Sequence, residues 1–144
     1  MRSLVITGCL LCVGITSFAA APRRPNFSGR WQLENDPNTV WEIKHEGNSI
    51  KVAQLAPEGS PKTELGCAAS GERCDGVSAG IEAKVSFWFS NPQQLVEMLL
   101  EGKNADRVVK TTRTLSEDGQ TLKTEIVFIT PQKEPKVMLF QKQQ

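Results

Sequence analysis

The chain contains no tyrosine, one histidine, three tryptophans and six phenylalanines in 144 residues. So few aromatic side chains do not suit the repeated stacking platforms that bind single-stranded nucleic acid. A surplus of one charge is missing as well. Lysine and arginine total 17, aspartate and glutamate 16, for a formal charge of +1. A near-neutral chain has no electrostatic ground for binding nucleic acid or an acidic lipid surface. Catalytic motifs are absent too: there is no Gly-x-Ser-x-Gly elbow, P-loop, HExxH or EF-hand loop. Leaving aside Cys9 and Cys12 of the apolar N-terminal run, two cysteines and one histidine are too few for a convincing zinc site. No metal and no cofactor is therefore expected.

What is present has the balance of a globular domain, 39% hydrophobic and 23% charged. The length suits one domain. Arg2 opens the chain with a positive charge, and an uncharged, apolar run then extends from Leu4 to Phe18. Small residues follow at Ala19, Ala20 and Ala21, and Pro22-Arg23-Arg24-Pro25 ends the run. These are the three parts of a secretory signal peptide. The expected organisation is a signal peptide over residues 1–20, cut after Ala19, and a single domain over 21–144, with a secreted or periplasmic product. Ile6-Thr7-Gly8-Cys9 resembles a lipoprotein box, but too few apolar residues precede Gly8 for the hydrophobic region such a signal needs. Gly8, Gly14, Thr7 and Thr16 dilute the run as a membrane span, so no span is expected in the mature chain.

Cys9 and Cys12 belong to that apolar segment, which leaves Cys67 and Cys74 in the domain. An even pair in an exported protein is most simply a disulfide. The intervening Ala68-Ala69-Ser70-Gly71-Glu72-Arg73 is small and polar enough to close the ring.

The rest alternates with period two, between turn residues. Strands are expected over 28–34, 39–45, 49–55, 63–68, 81–90, 106–115, 120–130 and 136–142. Residues 94–101 suit a helix as well as a strand, and their neighbours favour a strand. Residues 67–80 hold several glycines and read as an ordered loop. The fold class is all-β, an antiparallel up-and-down barrel of about eight or nine strands, since closure removes the exposed edges. A sandwich is the alternative.

Phe27-Ser28-Gly29-Arg30-Trp31 resembles the F-x-G-x-W opening of lipocalins and fatty-acid-binding proteins, the calycin barrels. The layout is similar to that of small bacterial secreted lipocalin-like proteins. The resemblance implies that Gly29 and Trp31 start the first strand and that Trp31 plugs the closed end. It also implies an arginine from a late strand packed across that tryptophan, and Arg113 is the residue in position.

His45 shares a strand face with Trp41 and Ile43 and reads as a satisfied or rim histidine. Glu82, Glu97 and Glu125 supply carboxylates, but nothing selects a catalytic pair among them. Trp88 faces away from Phe87 and Phe89. The inner face is expected to include Ile81, Val85, Phe87, Leu122, Ile126 and Phe128, which either fill the barrel or line a cavity. Val85, Phe87, Ile126 and Phe128 are the candidate ligand-binding residues. Two functions fit. The first is a non-enzymatic, exported, monomeric binding protein for a small apolar ligand. The second is an interaction module acting on an extracytoplasmic protein, such as a hydrolase or protease inhibitor, with residues 20–27 as its working arm.

Overall fold

A computed structural model describes residues 25–144, and the expected signal peptide lies outside them. Ten strands make up the described chain: β1 (Gly29–Leu33), β2 (Asp36–Glu46), β3 (Ser49–Leu55), β4 (Glu64–Ala68), β5 (Cys74–Ser78), β6 (Ile81–Asn91), β7 (Gln94–Glu101), β8 (Arg107–Leu115), β9 (Thr121–Thr130) and β10 (Lys136–Lys142). Each pairs antiparallel with its sequence neighbours, and β1 also pairs with β10, so the sheet closes into an up-and-down barrel. No described helix is long and apolar enough to cross a membrane.

The strand count exceeds the expected eight or nine because β5 lies inside the stretch read as a loop. Cys74-Asp75-Gly76-Val77-Ser78 has little apolar character of its own. It is held by five registered pairs with β6, from Cys74↔Val85 to Ser78↔Ile81. Residues 94–101 form a strand, β7, paired along its length with both β6 and β8.

Alternation divides each strand between interior and exterior. Trp31 faces Trp41, Ile43 faces Val52, and Val52 faces Leu65 across successive ladders. The interior is closed at one end by the segment leading into β1. Phe27 and Trp31 are fully buried there. The indole Nε1 of Trp31 donates to the Phe27 carbonyl at 3.0 Å. Phe27, His45 and Phe89 form an aromatic cluster beneath it, with centroid separations of 5.4–6.0 Å. Trp31, expected as a plug, is thus buried and tied to the segment that precedes β1. Gly29 has φ +149°, a conformation L side chains rarely adopt, and a Cβ there would come 2.8 Å from Lys142 Cε. The cation over the Trp31 ring is Lys142, at 5.8 Å, and not the expected Arg113. Lys142 is the direct cross-strand partner of Trp31, whereas Arg113 is held by a carboxylate described below.

Cys67 and Cys74 form the expected disulfide, with Cα atoms 5.6 Å apart. It joins the end of β4 to the start of β5, strands that share only one registered pair, Glu64↔Val77.

Candidate functional site: a half-hollow barrel

The interior has two unlike halves. Near the Phe27 plug it is filled by side chains such as Val85, Phe87, Leu95 and Ile50, all fully buried. Toward the other end, where β7–β8 and β9–β10 turn, it encloses a cavity of about 340 Å³. Trp31 and Phe140 line it from the plug side, and Leu99, Val109, Ile126 and Met138 form apolar walls.

Of the four candidate ligand-binding residues, Ile126 and Phe128 line this cavity, whereas Val85 and Phe87 do not. The reason is position along the strands. Val85 and Phe87 lie in the middle of β6, level with the filled half, and are completely buried. Ile126 and Phe128 lie further up β9, opposite Thr111 and Val109. Ile81, also expected inside, is half exposed at the start of β6.

The carboxylates and guanidinium groups on the cavity wall are already paired. On β7, Glu97 and Glu101 share the inward face with Leu95 and Leu99; on β8, Arg107 and Arg113 share it with Val109 and Thr111. Arg113 Nη1 donates to Glu97 Oε2 at 2.7 Å, with both side chains buried. Arg107 Nη1 donates to both Glu101 carboxylate oxygens, at 2.9 and 2.8 Å. The Ser78 hydroxyl donates to Glu101 Oε1 at 2.5 Å. Each interior carboxylate therefore has its own guanidinium. Thr124 faces Arg113 and Met138 across its two ladders, and its buried hydroxyl has no hydrogen-bond partner.

Around the mouth, charge is distributed differently. The Phe128 ring is approached by three cations: Arg107 at 5.7 Å, Lys136 at 5.8 Å and Lys133 at 5.9 Å from its centroid. Arg107 is paired with Glu101, but among the described residues neither lysine makes a salt bridge.

His45 sits at the plugged end, outside the cavity lining. Its Nδ1 accepts from the Phe27 amide at 3.3 Å and its Nε2 lies 3.1 Å from the Gly47 carbonyl. Both ring nitrogens are thus engaged by backbone. No group of three or more His, Cys, Asp or Glu side chains among the described residues is arranged to hold a metal ion.

Glu101, Arg107, Thr111 and Thr124 were not singled out from sequence. The signal was available in the phase of the strands. In Leu95-Val96-Glu97-Met98-Leu99-Leu100-Glu101 the carboxylates fall in step with Leu95 and Leu99. In β8 the arginines fall in step with Val109. Acids and bases on the inward phase of adjacent strands have to meet.

No protein-family model matches the chain, and no curated protein matches it. Among solved structures it is similar to fatty-acid-binding protein 1 of Echinococcus granulosus, with 14% identity and a TM-score of 0.61 over 81% of this chain and 96% of that one. It is also similar to the Schistosoma mansoni fatty acid binding protein in complex with arachidonic acid, with 13% identity and a TM-score of 0.60 over 82% and 96%. At such identities the likeness is one of fold, a closed antiparallel β-barrel.

Proposed function

We propose that the protein binds a small, mainly apolar ligand in the hollow half of its barrel and does not transform it. The cavity carries this reading. Its volume of about 340 Å³ falls within the roughly 300–1,000 Å³ typical of small-molecule sites. Twelve of its 22 lining residues are apolar, and, apart from the rim, the acids and arginines among the others are paired with one another, so an apolar ligand has a continuous wall to lie against. Two solved structures similar in fold are fatty-acid-binding proteins by title, and one of them is in complex with arachidonic acid. The engagement of both His45 nitrogens by backbone supports binding over catalysis. The hollow interior also favours a ligand over the interaction-module reading, for which a filled barrel is the natural scaffold.

The binding protein we propose is exported, on the strength of Arg2, the uncharged run to Phe18 and the alanine cluster. N-terminal sequencing of the protein from its source should begin near Ala20; an exported product that retains Met1 would count against this.

The binding test is a fluorescence titration with Nile red, an uncharged apolar dye. Saturable binding is expected. It should be weakened strongly in Val109→Trp, which puts an indole into the cavity from its wall, while circular dichroism stays that of a β-barrel. Dye binding that survives Val109→Trp unchanged would place the ligand elsewhere.

A further inference from the structure

We propose that the ligand is an amphipathic anion that enters tail first and leaves its anionic head at the mouth, on Lys133 and Lys136. The inference rests on the reading of the cavity as a ligand site and adds the ligand's charge and its direction.

The interior argues against a head group held deep inside. Its cations are Arg107 and Arg113, and each is already bonded to a carboxylate, Glu101 and Glu97 respectively. A ligand carboxylate could reach Arg113 only by displacing Glu97. That would leave the Glu97 side chain, 5% exposed, as an unpaired charge in a medium of low dielectric. Displacing Glu101 from Arg107 would also break the Ser78 hydrogen bond. With two acids and two bases paired, the interior offers an incoming anion no net attraction.

At the mouth, cations gather around one ring, and the one acid of that turn, Glu134, makes no salt bridge to either lysine. Lys136 lines the rim of the cavity from the start of β10. Lys133 belongs to the turn between β9 and β10, and both ammonium groups stand within 6 Å of the Phe128 ring centroid, beside Arg107. The ring face attracts each cation, which draws like charges together at one point. Glu101 neutralises only the arginine. An anion seated over the rim would relieve the remaining repulsion while its head group keeps contact with water. Its tail would lie along Phe128, Ile126 and Val109 toward Trp31.

The experiment compares two ligands with the same tail and opposite heads, decanoate and decylamine, by displacement of bound Nile red at neutral pH and low ionic strength. Decanoate is expected to bind at least about tenfold more tightly. The preference should shrink as salt is raised, because an exposed head group is screened. In the double variant Lys133→Gln/Lys136→Gln it should fall to about threefold or less. Both lysines are exposed, so this variant is expected to fold as the parent does. Equal binding of the two ligands would overturn the proposal. So would a decanoate preference that survives the double variant, which would put the head on the buried arginines. Both outcomes leave Nile red binding, and hence the cavity as a ligand site, intact. Failure of Nile red itself to bind would overturn the underlying reading and the inference with it.

Discussion

Glu97 and Arg113 decide the polarity of the barrel interior, and they do so as a pair. Their 2.7 Å contact is almost wholly removed from water. The net value of such a pair is small, because desolvation offsets the attraction; the cost of separating it is large. Glu97→Ala strands a buried guanidinium and is expected to lower unfolding stability by about 3–5 kcal/mol. Arg113→Met strands the carboxylate and should cost a similar amount. The combination Glu97→Leu/Arg113→Met removes both charges and should recover most of the loss. Urea denaturation of the four proteins forms a double-mutant cycle. Additive losses would mean that the two residues act independently. At the same scale, Lys142 takes the position over Trp31 that the family resemblance assigned to Arg113. The difference arises because the carboxylate of Glu97 captures the arginine from the neighbouring strand, leaving the indole to its direct partner on β10.

Among the elements, the seam between β4 and β5 is the least zipped part of the sheet. Only Glu64↔Val77 is in register, whereas β7 and β8 share eight registered pairs. Gly76 lets the two strands approach. A Cβ there would meet Leu65 Cδ2 at 2.9 Å and the Glu64 carbonyl at 3.2 Å. The Cys67–Cys74 disulfide ties the other end of this seam. Removing it with Cys67→Ser/Cys74→Ser is expected to cost on the order of 2–3 kcal/mol through loop entropy. Amide hydrogen exchange should quicken in β5 before it does in β8 or β9. Uniform exchange across the barrel would show that the disulfide does not guard this seam. The same local weakness explains why β5 was not legible as a strand. Its interior positions are occupied by Gly76 and Ser78, so no apolar alternation marks it, and its conformation is imposed by β6. By contrast, β3 and β10 coincide with the segments read from sequence, since Ile50 and Val52, and Met138 and Phe140, alternate cleanly with polar or exposed neighbours. For β7, the run of Leu95, Val96, Met98, Leu99 and Leu100 carries apolar residues on both phases. Only the flanking strands distinguished it from a helix.

As a whole, the molecule is a closed sheet with one half of its interior packed and the other half open. Closure follows from β1 meeting both β2 and β10 and leaves the β4–β5 seam as the one loosely paired edge. Phe27 and Trp31 then seal one end, and the interior volume that remains lies beneath the mouth. The sequence made the barrel and its plug legible through alternation and the Phe27-Gly29-Trp31 pattern. It did not disclose the hollow, because residues that fill a barrel and residues that line a cavity alternate identically. Val85 and Ile126 are indistinguishable by pattern, yet one is in the packed half and the other on the cavity wall. Depth along the barrel depends on register, and register is a property of the closed sheet. On the outside, Val127, Ile129, Val137 and Leu139 are exposed on β9 and β10, and they offer an alternative place for an apolar molecule to settle. The measurement that decides between inside and outside is a titration of the isotope-labelled protein with decanol, followed by backbone amide chemical shifts. Saturable shifts are expected at Val109, Thr111, Ile126 and Phe128, with Val85 and Phe87 unmoved. Shifts confined to Val127, Ile129, Val137 and Leu139, or no saturable shift at all, would contradict a ligand held within the barrel.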